Sequence, residues 1–125
     1  MEKLTIFGTL PNLNDYQRAD RTNKYVGAKM KRDAEEIITA YIMQQLRGVS
    51  FKKKVRLEFS WYEPNRKRDL DNICFAKKFI LDALVSNKVI KTDGWQGVEC
   101  FTDKFYIDKN NPRIEVVISE VENER

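Results

Sequence analysis

The apolar residues of this chain change their period between two neighbouring segments, and this change constrains the fold most. Over residues 26–47 they recur every three or four positions, which is the spacing of an amphipathic helix. Over residues 52–62 they alternate with polar residues, which is the spacing of a half-buried strand. The apolar face of that strand comprises Val55, Leu57, Phe59 and Trp61. Gly48 and Pro64 are suited to end the helix and the strand.

The same two periods predict the other elements of the chain. These are a strand over residues 3–10, a helix over residues 71–86, a turn over residues 91–94, and strands near residues 101–107 and 114–118. The buried stripe of the second helix is predicted to comprise Ile73, Ala76, Ile80, Ala83 and Leu84. The resulting order predicts a single α+β domain over residues 1–125, with a mixed or mainly antiparallel sheet of about four strands and two main helices.

Residues 12–24 are rich in Asn, Asp and Arg, and this composition predicts an exposed loop. Its cations Arg18, Arg21 and Lys24 could contact DNA, although a solvated charged face accounts for them equally well. The whole chain has 23 Lys and Arg against 19 Asp and Glu, a net charge of +4 that favours polyanionic partners without identifying one. At the other end, residues 120–125 are predicted to be frayed.

The absence of histidine excludes several mechanisms. Serine and cysteine triads and nucleases with a histidine base need an imidazole, which this chain does not supply. The two cysteines are far apart in sequence, so a structural zinc site is not expected either. No apolar run is long enough for a membrane span and no signal peptide is recognised, which predicts a cytoplasmic protein.

The segment from Asn65 to Asn72 places three cations directly before two carboxylates, Asp69 and Asp71. Mg²⁺ prefers oxygen ligands and is typically held by one or two carboxylates with water and phosphate oxygens. Asp69 and Asp71 could therefore bind a metal ion, with Asp93 as a third ligand. The alternative is that both residues only stabilise the start of a helix, because Asp is favoured there.

Lys78 is a candidate for stabilising negative charge on a phosphate. If residues 71–86 form one helix, Lys78 lies two turns after Asp71 and on the same face. The alternative is a simple surface pair between Lys78 and Asp82, one turn further along.

The run Arg68-Asp69-Leu70-Asp71-Asn72, followed by Asp82-Ala83-Leu84 and Asp93, resembles the RusA family of Holliday junction resolvases of phages and prophages. The resemblance implies a homodimer that binds four-way DNA junctions in recombination and repair and makes paired nicks with Mg²⁺ or Mn²⁺. It places the family's three acidic positions on Asp69, Asp71 and Asp93. The family's lysine falls on Lys78, with Lys77 as competitor, because this chain has about one extra helical turn before Asp82.

The hypothesis from the sequence is therefore a crossover junction endodeoxyribonuclease of the cytoplasm of a bacterial or phage-infected cell. Its partners would be branched DNA and a second copy of the chain, without a membrane or a nucleotide cofactor. The predicted catalytic residues are Asp69, Asp71, Asp93 and Lys78. The predicted DNA-binding residues are Arg66, Lys67, Arg68, Arg18, Arg21, Lys24 and Lys77. The main alternative is a non-catalytic nucleic-acid-binding module; a phosphatase or glycosyltransferase with an Asp-x-Asp motif is disfavoured, since the chain is too short for those architectures.

Overall fold

Four strands and four helical segments follow one another in the computed structural model, which describes residues 1–121. The elements are β1 (Glu2–Phe7), α1 (Leu13–Thr22), α2 (Lys24–Gln45), β2 (Val55–Glu63), α3 (Leu70–Cys74), α4 (Lys77–Ser86), β3 (Val98–Ile107) and β4 (Arg113–Glu120). None of the helices in residues 1–121 is both long enough and apolar enough to cross a bilayer.

The four strands form one mixed sheet in the order β1-β4-β2-β3. β4 is antiparallel to both β1 and β2, whereas β3 is parallel to β2. A parallel neighbour requires a long crossover connection, and the segment that contains α3 and α4 provides it. The predicted α+β class and mixed sheet of four strands are confirmed.

The hydrophobic core lies between the helices and one face of the sheet. In β2 the residues at alternate positions are buried, as the period of two predicts. The helix predicted over residues 26–47 is α2, and it buries Ala34, Ile38 and Ile42 against the sheet and α4. The largest of the fully buried side chains include Trp61, Phe59, Phe79, Leu4, Ile6, Ile38, Leu46 and Leu57.

The predicted loop over residues 12–24 is wrong, because most of this segment forms α1. Its start is a capping box, in which the Asn12 side chain accepts a hydrogen bond from the Asp15 amide at 2.8 Å. The Asp15 carboxylate in turn accepts from the Asn12 amide at 3.1 Å. The few apolar residues of α1 hid its helical period, but the Asn-x-x-Asp spacing is a recognisable start signal in the sequence.

Replacing Asn12 with alanine is expected to lower the free energy of unfolding by about 1 kcal/mol, because the cap of α1 is lost. Asn12 is only 8% exposed, so water would not fully replace the missing bond. Urea denaturation of both proteins measures the difference. Asn14→Ala is the matched control, since Asn14 is exposed on the same helix; an equal loss in both variants would contradict a capping role.

The helix predicted over residues 71–86 is divided into α3 and α4 by a turn at Phe75 and Ala76. Phe75 packs edge-on against Phe79, with ring centroids 5.6 Å apart, and lies at the same distance from Tyr16 of α1. The predicted buried stripe is nevertheless correct, and Asn87 ends α4 as expected. Glu120 belongs to β4 and is not frayed; residues 122–125 of the predicted tail lie outside the described residues.

Candidate active site and nucleic-acid interface

The basic segment between β2 and α3 is anchored to the start of α1 through Arg68. Its guanidinium donates a hydrogen bond to the Leu10 carbonyl at 3.1 Å and lies 3.5 Å from the Asp15 carboxylate. Arg66 and Lys67 are exposed on the same segment. Arg68 therefore holds the segment in place, while its two neighbours extend into solvent.

Asp69 and Asp71 lie at the start of α3, and both are exposed. Asp69 occupies the N-cap position, but its side chain makes no capping hydrogen bond. The Asp71 carboxylate accepts one bond, from the adjacent Asn72 amide at 2.9 Å. Helix capping therefore does not account for the Asp69 side chain, and both carboxylates remain accessible to a ligand.

Lys78 lies in a charged cluster away from the start of α3. Its ammonium is 3.1 Å from the Asp82 carboxylate and 3.8 Å from that of Asp93, and the bond to Asp82 raises the pKa of Lys78. Lys31 of α2 approaches the same Asp82 at 3.4 Å. The cluster joins α2, α4 and the turn that carries Asp93, so Lys78 has Asp93 rather than Asp71 as its neighbour.

The turn that carries Asp93 is tightly folded. The Thr92 hydroxyl accepts a hydrogen bond from the Gly94 amide at 3.2 Å. Any Cβ at position 97 would overlap the Thr92 carbonyl, so only glycine fits there. The predicted turn over residues 91–94 is confirmed.

Lys77 faces a different set of residues, which includes Asp103 of β3. The Lys77 ammonium is 2.7 Å from the Asp103 carboxylate, and the Trp61 indole donates to the other Asp103 oxygen at 2.9 Å. The same ammonium lies 5.2 Å from the Phe59 ring centroid and 4.7 Å from that of Phe101. These contacts hold the Lys77 charge in one place, because attraction to aromatic faces adds to the ion pair.

Asp103 is not among the site residues predicted from the sequence. The signal that could have found it is its position in β3, where it interrupts an otherwise apolar face between Phe101 and Phe105. A carboxylate in such a row needs a partner when it is partly buried. Lys77 and Trp61 are those partners.

Cys74 lies in α3 near Asp71, and the charges of Lys77 and Asp103 also act on its thiol. Its thiol lies 3.8 Å from the Asp71 carbonyl oxygen. Burial raises the pKa of Cys74, as do the nearby carboxylates of Asp103 and Asp71, whereas Lys77 lowers it. The charges of Asp71, Lys77 and Asp103 therefore all act on the same thiol.

A three-carboxylate metal centre is not formed within the described part of the chain. No three acidic or thiol side chains of residues 1–121 come together as metal ligands. Asp69 and Asp71 lie at one end of α3, while Asp93 lies beside Lys78. The ligand set of Asp69, Asp71 and Asp93 stays a prediction.

The predicted DNA-binding cations fall into two groups. Arg68 and Lys77 are held by carboxylates of the protein. The others form no ion pair with a carboxylate of residues 1–121 and are exposed; these are Arg18, Arg21, Lys24, Arg66 and Lys67. Unpaired, exposed cations are the kind that contact phosphates.

A cavity of about 460 Å³ adjoins Asp69. It lies between the ends of β2 and β3, the basic segment and the start of α3. Its lining residues are Glu63, Asn65, Arg66, Arg68, Asp69, Leu70, Ile73, Phe105, Tyr106 and Ile107. Glu63 is only 7% exposed, and its burial raises its pKa, which the charge of Arg68 opposes.

Replacing Glu63 with glutamine is expected to raise the melting temperature at pH 7. The folded pKa of Glu63 lies above its ordinary value of 4.5, so its contribution to stability is present below pH 4.5 and is lost as the pH rises through the folded pKa. Glutamine removes this loss. Thermal melts at pH 4 and pH 7 measure it, with the exposed Glu58→Gln as control; a lower melting temperature for Glu63→Gln at pH 7 would contradict the prediction.

Together, the mixed sheet, the accessible carboxylates at the start of α3 and the exposed cations around them define a small α+β protein with the features of a nucleic-acid-processing enzyme. The family model described as Endodeoxyribonuclease RusA matches residues 9–119. The chain belongs to the RusA family of endodeoxyribonucleases. No curated protein matches it significantly.

Proposed function

We propose that this protein is a structure-specific endodeoxyribonuclease that resolves four-way DNA junctions by paired phosphodiester hydrolysis in recombination and repair. The observation that carries the proposal is the pair of accessible carboxylates, Asp69 and Asp71, beside an exposed basic segment, in a chain of the RusA family. Cations on the basic segment and on α1 would follow the DNA backbone. The proposed setting is the cytoplasm of a bacterial or phage-infected cell.

Mg²⁺ or Mn²⁺ is the proposed cofactor. The carboxylates of Asp69 and Asp71 are oxygen donors of the type that Mg²⁺ prefers, and one or two of them suffice when water and substrate phosphates provide the other ligands. Asp93 would join them only if its turn approached the start of α3. When bound, such an ion neutralises phosphate charge and acidifies the attacking water.

Lys77 is the lysine that we assign to the neighbourhood of Asp71. It shares the surroundings of Cys74 with that residue, whereas Lys78 is paired with Asp82 and Asp93. With its ammonium fixed by Asp103, Lys77 would add positive charge beside the reacting phosphate without rearranging. Lys78, the choice from the sequence, would instead form only exposed ion pairs with Asp82 and Asp93.

A homodimer is part of the proposal, because one chain carries only one set of these residues. Two-fold symmetry would present two equivalent sites to opposite strands of a junction. Sedimentation with and without junction DNA measures the stoichiometry, and two chains per junction is the expected result.

The purified protein is expected to nick a synthetic four-way junction when Mg²⁺ is present and to stop when EDTA is added. A linear duplex of the same sequence is the control substrate and should remain intact. Denaturing gels with each strand labelled in turn identify paired cuts. Binding without cutting at any Mg²⁺ or Mn²⁺ concentration would reject the nuclease proposal in favour of a binding module, whose affinity falls steeply with salt.

A further inference from the structure

We propose that the cavity beside Asp69 binds one unstacked DNA base, with Glu63 accepting hydrogen bonds from its N–H groups. This inference rests on the proposed junction nuclease and adds a base-recognition pocket next to its carboxylates. A branch point can present unpaired or unstacked bases, whereas the bases of a continuous duplex are paired and stacked.

Glu63 is the first reason to expect a ligand in this cavity. The residue is 93% buried, and its carboxylate makes none of the side-chain hydrogen bonds or ion pairs found within residues 1–121. Within residues 1–121, every fully enclosed side-chain oxygen has a hydrogen-bond partner. Because the Glu63 oxygens have none, they are not fully enclosed, and the open space next to Glu63 is the cavity. The carboxylate of a largely buried residue thus faces the cavity without a protein donor, and the N–H groups of a base could donate to it there.

The walls of the cavity suit the flat faces of a base. Leu70, Phe105 and Ile107 line it, and Leu70 and Ile107 remain 56% and 48% exposed. Phe105 and Ile107 alternate along β3 and lie on the same face of the sheet as Glu63, whose partner across the strands is Ile107. Apolar and aromatic walls around a few polar groups are typical of small-ligand pockets, and about 460 Å³ is within their size range.

The charges at the cavity suit the phosphates on either side of such a base. Arg66 lines the cavity, is exposed and forms no ion pair with a carboxylate of residues 1–121. Arg68 lines it too and is fixed by Leu10 and Asp15. A bound nucleotide would therefore place its base on Glu63, its phosphates at the arginines, and the neighbouring phosphodiester close to Asp69.

The test measures binding of the wild-type protein, in EDTA, to junctions that each carry one abasic site near the crossover. One position is expected to weaken binding by at least about fivefold, the low end of what stacking of a base contributes. The affinity of Glu63→Leu for the intact junction should be about as low as that of the wild-type protein for the abasic junction. For Glu63→Leu, the abasic site should cause no further loss of affinity. Glu63→Gln, whose amide oxygen can still accept, should keep part of the discrimination. Glu58→Gln, on the exposed face of the same strand, should behave as wild type.

Two results would overturn the pocket. One is wild-type binding that is indifferent to an abasic site at every position; the other is a folded Glu63→Leu protein that still discriminates. If Glu63→Leu fails to fold, as judged by circular dichroism, the wild-type series and Glu63→Gln decide. A third outcome is that wild-type binding does not depend on abasic sites and that the Glu63 variants differ from wild type in oligomeric state. This outcome would also reject base binding, and it would assign the cavity to contact with a second copy of the chain. Cleavage of the intact junction by the wild-type protein is assayed in parallel with Mg²⁺. If the wild-type protein does not cut this junction, the proposed function is rejected, whatever the binding results say about the pocket.

Discussion

Replacing Asp71 with asparagine is expected to reduce junction cleavage by more than about 100-fold while leaving junction binding intact. Changes to groups that merely support a metal ligand cost roughly 10- to 100-fold, so loss of a ligand itself should cost more. The fold should tolerate the change, because Asp71 is exposed and, within residues 1–121, its side chain accepts only from the adjacent Asn72 amide. An asparagine oxygen can accept the same bond. Single-turnover cleavage and gel-shift binding of one labelled junction measure the two effects.

The control for this substitution is Asp33→Asn on the surface of α2, where the carboxylate pairs only with Lys29. It should cut at close to the wild-type rate. If Asp71→Asn loses binding together with cutting, and its melting temperature falls, Asp71 has a folding role. If Asp71→Asn cuts normally, the proposed site is wrong.

Replacing Lys77 with methionine is expected to reduce cleavage by about 100-fold or more, comparable to losing one positioned donor to developing charge. Methionine keeps an unbranched apolar stem beside Phe59 and Phe101 but removes the ammonium. Asp103 would keep only the Trp61 indole as partner. Cleavage rates at saturating junction concentration measure the loss, and a thermal melt measures any accompanying loss of stability.

Lys78→Met is the matched variant, because it removes the same charge one residue further along α4. Its pairs with Asp82 and Asp93 are exposed on the lysine side, and such pairs contribute only about 0.2–1 kcal/mol, so its cleavage rate should stay within a few-fold of wild type. Lys77→Arg should recover part of the activity, because it retains a positive charge. The reverse outcome, with Lys78→Met inactive and Lys77→Met active, would restore the lysine that the sequence analysis selected.

The strands and the long helix could be predicted because their apolar residues recur with a clear period. Residues 26–47 and 52–62 correspond to α2 and β2 within a few positions. α1 was missed because its stability depends on a capping box and on packing against α2, rather than on its own apolar residues. Leu13, Tyr16 and Ala19 are too few apolar residues for a pattern search to recognise the helix that the structure has.

The argument from helix geometry for Lys78 assumed one continuous helix over residues 71–86, which the structure does not have. Asp71 and Lys78 share a face if the helix between them is continuous, and the turn at Phe75 and Ala76 interrupts that helix. Asp103 was out of reach for a related reason. Asp103 contacts Lys77 because β3 pairs with β2 in parallel. The order of strands in a sheet cannot be predicted from a local sequence pattern.

The position of β3 also has a consequence for folding and for local motion. β3 is the edge strand of the sheet and pairs only with β2, to which it is joined through the long crossover. Pairings between distant segments form slowly, and edge elements open at lower free energy than central ones. We expect the amides of β3 to exchange with solvent deuterium faster than those of β4 in the middle of the sheet. Each such opening would remove Asp103 from Lys77 and Ile107 from the cavity, so deuterium exchange in β3 would report how often these two sites come apart.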